Sequence, residues 1–172
     1  NNGMDKTGNI YNIFNAIYFI KNTNKCDFIT ADGGFDTSDS FNSQELDTYQ
    51  LIYSEIFIAL NIQKKGGNFI IKIFDIFYNK TIQLLYLLYL SYEKLYIFKP
   101  DFSRLSNSEK YIVAVNFKGA PGRSLDDLQF YYENPLQFMI DIPSDFIHMI
   151  NNFNQSFIKK QIFVINDIID NY

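Results

Sequence analysis

Three charged residues of this chain stand in or directly beside apolar stretches: Asp32, Lys72 and Glu109. A lysine flanked by two carboxylates can be held in one orientation and tuned to exchange a proton with a substrate hydroxyl. If the three side chains converge, they form a site for proton chemistry on a hydroxyl group. The other segments would then serve to hold these residues in place.

Asp32 follows the apolar residues 28–31 and precedes Gly33 and Gly34. In an open α/β sheet, ligands bind beyond the carboxyl ends of the strands. Glycines at such an end let a ligand approach the backbone closely. A helix cap or a turn explains a carboxylate here equally well, so Asp32 alone leaves both interpretations open.

Lys72 is a sharper signal, because it interrupts the apolar run of residues 69–74. An unpaired buried ammonium is costly, so Lys72 must be paired, solvated in a cleft or placed at a strand end. The alternative is an edge lysine whose ammonium reaches water. Glu109 precedes the strand pattern of residues 111–115, and alone it is typical of a surface glutamate.

Four basic residues surround the later strands: Lys99, Arg104, Lys110 and Lys118. They predict either phosphate contacts or, equally well, a solvated basic rim. The net charge of −4 argues against a general nucleic-acid coat and leaves room for a local basic groove.

The composition predicts a globular domain, since 47% of the 172 residues are hydrophobic and 20% are charged. The single Cys26 excludes an internal disulfide and a cysteine zinc site, and it favours a reducing compartment. The first residues lack the pattern of a signal peptide. The longest uncharged apolar run, residues 81–92, is too short to cross a bilayer, so we expect no membrane association.

Apolar periodicity predicts alternating helices and strands. The predicted helices cover residues 10–20, 44–62 and 79–91, with one or two more from residue 142; the predicted strands cover residues 27–31, 69–74, 95–98 and 111–117. Residues 64–67 are typical of a helix stop. This alternation predicts an α/β fold with a parallel or mostly parallel sheet, helices on both faces, and C-terminal helices packed on it or used as an interface.

These segments resemble the FtsJ/RrmJ-like ribose 2′-O-methyltransferases, and most of all the branch that methylates the first nucleotides of capped mRNA. The resemblance runs through most of residues 5–119. It is carried, in order, by residues 27–35, 66–75, 83–88, 96–100, 103–104 and 107–111. Several blocks in the right order and spacing make it specific.

The resemblance implies a Rossmann-like sheet, S-adenosyl-L-methionine as cofactor and a Lys-Asp-Lys-Glu catalytic tetrad. Asp32, Lys72 and Glu109 match its last three members. Lys72 would deprotonate or orient the ribose 2′-hydroxyl, and the two carboxylates would position Lys72. The scheme requires no metal.

The resemblance also implies binding residues and partners. Asn9, Ile10, Asp32 and Gly33 would contact the cofactor, although the family often has Asp where Asn9 stands. The residues expected to contact RNA are Lys99, Arg104 and Lys110. The expected partner is RNA, above all capped mRNA, and the expected location is the cytoplasm or nucleus, a viral factory included.

The chain departs from the family pattern at its start. The Gly-rich cofactor loop and the first catalytic lysine of the family have no counterpart before Asp32. We therefore expect residues 1–119 to be the C-terminal two-thirds of a methyltransferase domain and residues 120–172 to be a helical extension packed on it. Alone, this chain is expected to bind cofactor weakly. The alternatives are a non-catalytic remnant that binds RNA or a partner, and a methyltransferase of ribosomal or transfer RNA.

Overall fold

A computed structural model describes residues 3–34, 44–104 and 106–171, so Phe35 at the end of the first block of the resemblance lies outside it. The elements in chain order are α1 (Ile13–Lys21), β1 (Cys26–Ala31), α2 (Gln44–Ile62), β2 (Gln63–Ile73), α3 (Asn79–Ser91), β3 (Tyr92–Phe98), β4 (Lys110–Phe117), α4 (Ser124–Phe130), a 3-10 turn (Pro135–Gln137) and α5 (Ser144–Asn171). The α/β class predicted from the sequence is confirmed, and α2 and α3 have the predicted bounds.

The sheet has the order β1-β2-β4-β3. β1 pairs parallel with β2, whereas β4 pairs antiparallel with both β2 and β3. Three strands therefore run in one direction, but β4 enters between two of them in the opposite direction, so two of the three pairings are antiparallel and the sheet is not mostly parallel in its pairing. The chain connects β3 to β4 without a helix, and only a crossover connection would have allowed parallel pairing.

The helix stop predicted from residues 64–67 is confirmed, since α2 ends at Ile62, but the strand that follows begins at Gln63 and not at the predicted residue 69. Gln63, only 2% exposed, donates to the Cys26 carbonyl oxygen at 2.8 Å and accepts from the Tyr92 hydroxyl at 3.0 Å. This anchor joins three strands at the point where α2 ends. Gly66 has φ +81°, a left-handed conformation that glycine adopts without strain, so the chain turns inside the strand.

One face of the sheet forms the core. Alternate residues of the two central strands, among them Phe69, Ile71 and Ile112, are fully buried and join a single cluster with α2 and α3. Each such side chain stabilises the fold by about 1.5–3 kcal/mol. Lys72 and Tyr111 point to the opposite face, where the side chains are only half-buried. A charged residue is therefore tolerated at Lys72 between two core isoleucines.

The C-terminal segment adds α5, a single helix of 28 residues, to the body. Its first half packs on α3 through Phe146, whose ring lies 5.0 Å from that of Tyr86 and 5.3 Å from that of Tyr89. Within the described ranges, no helix combines the length and apolar character needed to cross a membrane.

Candidate active site

Asp32 and Lys72 form an ion pair at the carboxyl ends of β1 and β2. The parallel register places Ala31 beside Ile71, so the next residue of each strand meets its neighbour. The Lys72 side chain is 16% exposed and that of Asp32 is 63% exposed. The lysine is thus fixed against the sheet while its partner faces solvent, where a substrate has access.

Tyr111 links Glu109 to the strand position of Lys72. Tyr111 lies directly across from Lys72 on β4, and its hydroxyl donates to Glu109 Oε1 at 3.2 Å. Burial and the negative charges of Glu109 and Asp32 raise the pKa of Tyr111, so its hydroxyl keeps its proton and remains a donor. The structure therefore brings Asp32, Lys72 and Glu109 to one edge of the sheet, with Tyr111 between them.

Glu55 of α2 is a further carboxylate at this edge. It is 9% exposed, and its Oε1 accepts a hydrogen bond from the Gly33 amide at 2.9 Å. Burial raises its pKa to about 7, against the opposing effects of the Gly33 hydrogen bond and the Lys72 charge. Glu55 thereby ties the turn after Asp32 to the helix behind it.

A cavity of about 280 Å³ opens beside these residues. Asp32 and Glu55 supply its carboxylates, and its remaining lining is mostly apolar: Ile10, Phe19, Ile29, Thr30, Ala31, Ile58, Ala59 and Ile62. Asn9 precedes the cavity residue Ile10 in the chain, and its side-chain oxygen accepts a hydrogen bond from the Tyr11 amide at 2.9 Å. Of the four residues predicted to bind cofactor, Ile10 and Asp32 line this cavity directly.

The close approach of the Glu55 carboxylate to the backbone favours glycine at residue 33. A Cβ at residue 33 would lie 2.6 Å from Glu55 Oε1, whereas among the described residues a Cβ at residue 34 would approach only Lys72 Nζ, at 3.8 Å. We expect Gly33→Ala to displace Glu55 and to lower the free energy of unfolding by about 1–3 kcal/mol, as overpacking does. Gly34→Ala is the matched control and should unfold within about 0.5 kcal/mol of wild type. Equal denaturant midpoints for the two variants would contradict this packing.

Glu55 should make stability depend on pH. Its folded-state pKa of about 7 lies above the ordinary value of 4.5, so the folded state holds the proton more tightly than the unfolded state. The contribution of this raised pKa to the free energy of unfolding is therefore fully present below the unfolded-state pKa. It is lost as the pH rises through about 7. Relative to Glu55→Gln, wild type should lose up to about 3 kcal/mol across this window. Denaturant unfolding of both proteins over a pH series measures the difference; parallel profiles would show that Glu55 does not titrate there.

Lys99, expected to contact RNA, is held by the loop before β4. Its ammonium donates to the carbonyl oxygen of Glu109 at 2.7 Å and to that of Asn107 at 3.1 Å. Partial burial lowers its pKa. In this arrangement Lys99 supports the backbone that carries Glu109.

The structure contradicts the prediction that Lys110 contacts RNA, because its side chain is only 1% exposed. Its ammonium donates to the carbonyl oxygens of Ser108 at 2.6 Å and Phe74 at 3.0 Å, and it lies 4.2 Å from the centre of the Phe157 ring. Burial lowers its pKa to about 8, although Asp75 opposes the shift. Lys110 therefore joins the segment after β2 to the loop before β4.

Arg104 is the predicted RNA contact that lies at an open surface. It lines a cleft of about 580 Å³ together with Phe77 and with polar side chains from four parts of the chain: Gln44, Asp75, Ser106, Asn107, Ser108 and Gln161. The lining of the cleft includes Ser106–Ser108, which immediately precede Glu109 in the chain.

Sequence reasoning missed Glu55 and Tyr111 as parts of the site. Glu55 has a visible signal, since it is a carboxylate among the periodic apolar positions of α2. Tyr111 has none, because its place opposite Lys72 depends on the insertion of β4 beside β2.

Comparison with known proteins identifies a family for most of this chain. The family model described as FtsJ-like methyltransferase matches residues 4–117. A Trypanosoma cruzi protein named cap-specific mRNA (nucleoside-2′-O-)-methyltransferase 1 is 34% identical over 134 residues, covering 76% of this chain and 37% of that protein. The human protein of the same name is 37% identical over 135 residues, covering 75% of this chain and 16% of that protein.

A Drosophila melanogaster protein named cap-specific mRNA (nucleoside-2′-O-)-methyltransferase 2 is 31% identical over 158 residues, covering 83% of this chain and 23% of that protein. The chain thus spans less than two-fifths of the length of these three relatives. A solved Plasmodium falciparum structure described as a ribosomal RNA methyltransferase superposes with a TM-score of 0.49 at 23% identity, covering 69% of this chain and 62% of that one.

The match to the family model extends from the loop before α1 through β4 and includes Asp32, Lys72, Glu109 and the sheet that positions them. The chain therefore belongs to the FtsJ-like methyltransferase family.

Proposed function

We propose that this chain forms the catalytic part of an S-adenosylmethionine-dependent RNA ribose 2′-O-methyltransferase that acts on the cap-proximal nucleotides of mRNA. The proposal rests chiefly on the Asp32–Lys72 ion pair, which lies beside the Tyr111–Glu109 hydrogen bond at one edge of the sheet. The names of the relatives support the choice of capped mRNA as substrate. A capped-mRNA substrate would place the protein in the nucleus or cytoplasm.

In this proposal Lys72 holds the ribose 2′-hydroxyl. Asp32 orients Lys72 against the hydroxyl oxygen. Once Lys72 has released a proton to solvent, its free amine accepts the hydroxyl proton as that oxygen becomes nucleophilic, and Lys72 is again an ammonium beside Asp32. Tyr111 and Glu109 limit the directions in which Lys72 can turn. Because the pair is fixed before substrate arrives, little reorganisation is required during the reaction.

The residues around the 280 Å³ cavity fit part of S-adenosylmethionine. Ile10 and Ala31 offer apolar surface to a flat base, and Asp32 and Glu55 place carboxylates where a cationic group is favoured. When bound, S-adenosylmethionine supplies the electrophilic methyl group that the hydroxyl oxygen attacks. We also propose Asn9 and Gly33 as contacts of the cofactor.

Arg104 is the proposed contact for the RNA backbone. It lines the same cleft as Phe77, which is 54% exposed, and as Ser108, the residue before Glu109. A guanidinium binds phosphate with two donors, and an exposed ring can stack on a base. Residues 1–119 form the methyltransferase part in this proposal, and residues 120–172 form a helical extension.

The experiment that tests this function is methyl transfer from labelled cofactor by the intact protein that contains residues 1–172. Capped RNA should accept label, whereas the same RNA without a cap should accept at least about tenfold less. Equal labelling of both RNAs would refute the cap preference and favour the ribosomal or transfer RNA alternative. Cofactor binding without transfer to any RNA would favour a non-catalytic role.

A further inference from the structure

The second half of α5 exposes an apolar stripe. Asn154 and Phe157 are buried against the body, and the Gln161 side-chain amide donates to the Asn107 carbonyl oxygen at 3.0 Å. Beyond this point the helix carries large apolar side chains in solvent: Ile162 is 53% exposed, Ile165 40%, Ile168 44% and Ile169 68%. Exposed isoleucines at this density indicate an interaction surface.

The spacing of the stripe is that of a helix-pairing seam. Ile158, Ile162, Ile165 and Ile169 alternate steps of four and three residues, which is the a/d pattern of a coiled coil. At about 100° per residue these four side chains lie within an arc of about 60°. The body-facing side chains are centred about 80° away, so the stripe lies beside the contact with the body.

The charges beside the apolar stripe favour a second copy of this chain as the partner that covers it. Its start carries Lys159 and its end carries Asp170, on the same flank of the apolar stripe. In an antiparallel pair, Ile162 packs opposite Ile165 of the other copy and Ile158 opposite Ile169. Lys159 of each copy then lies beside Asp170 of the other, and the interface is self-complementary. A parallel pair would instead set this charged flank of each helix against the uncharged opposite flank of the other, which carries Gln161 and Ile168, and would gain no ion pair.

We propose that residues 158–169 of α5 pair antiparallel with the same segment of a second copy of this chain. The pairing is independent of the proposed methyl transfer, since none of its residues belongs to the candidate active site. The segment is short, at about 18 Å, so the expected dimer is a weak one that forms in the micromolar range.

The experiment is sedimentation velocity of the full chain from low micromolar to several hundred micromolar concentration. Wild type should pass from monomer to dimer, and Ile162→Asp should remain monomeric with an unchanged circular dichroism spectrum. Phe163→Ser is the matched control, because Phe163 is 74% exposed but lies on the opposite face of α5, and it should dimerise like wild type.

Charge exchange tests the antiparallel register. Lys159→Asp alone and Asp170→Lys alone should each weaken self-association by about tenfold, because both substitutions oppose like charges. An equimolar mixture of the two variants should regain wild-type association as a heterodimer. A wild-type protein that stays monomeric throughout, or variants that associate like wild type, would overturn the proposal.

Discussion

Replacing Lys72 with alanine is expected to lower the rate of methyl transfer to capped RNA by about a thousandfold, the contribution typical of a group that exchanges a proton in the transition state. Lys72 is the basic group of the candidate site, and its ammonium is paired with Asp32 on the open face of the sheet. The substitution should leave the fold intact, since Asp32 is 63% exposed and can be solvated without its partner. The measurement is single-turnover transfer of labelled methyl at saturating RNA.

Lys64→Ala is the matched control for this prediction. Lys64 also stands on β2 and pairs with a β1 carboxylate, Asp27, at 2.8 Å, but both side chains are mostly exposed. This variant should transfer methyl groups at the wild-type rate, because exposed ion pairs contribute little. Unchanged transfer by Lys72→Ala, or an equal loss in both variants, would refute the assigned role of Lys72.

Replacing Lys110 with methionine is expected to lower the free energy of unfolding by about 2–3 kcal/mol at neutral pH. Methionine fills a similar volume but cannot donate to the Phe74 and Ser108 carbonyl oxygens, and it also loses the contact of the ammonium with Phe157. Two partly buried acceptors then lose this donor. For a domain of this size the melting temperature should fall by about 5–10 °C.

Lys118→Met provides the comparison for Lys110, because Lys118 follows the other end of β4 and is exposed. It should melt within about 2 °C of wild type, as surface substitutions do. If Lys110→Met melted like Lys118→Met, the buried ammonium would not be joining the two segments that flank the site.

The strands and helices were predictable from the sequence where local periodicity decides them. The helix at residues 44–62 and the one at residues 79–91 have the predicted bounds because their apolar positions repeat without interruption. The strand after α2 was predicted to begin at residue 69 but begins at Gln63, because Gln63 anchors the chain to β1 and β3, a tertiary contact that no local pattern reports. The insertion of β4 between β2 and β3 likewise depends on which strands pair, and local periodicity does not report this pairing.

The site was predictable to a similar extent. Lys72 was recognisable because a charge inside an apolar strand requires a partner, and the register supplies Asp32. The position of Lys110 was misjudged because a lysine at the start of a strand has the sequence signature of a surface residue. Its burial depends on Phe157, which lies far along the chain in α5.

The most direct measurement of the central claim locates the transferred methyl group. Capped RNA is labelled by the intact protein and then digested to nucleosides, with a second RNA that carries 2′-deoxyribose at the cap-proximal nucleotides as the comparison. If Lys72 acts on a ribose 2′-hydroxyl, the label appears in a 2′-O-methylated nucleoside next to the cap and is absent from the deoxy RNA. Label on a base, or equal labelling of the deoxy RNA, would contradict the account.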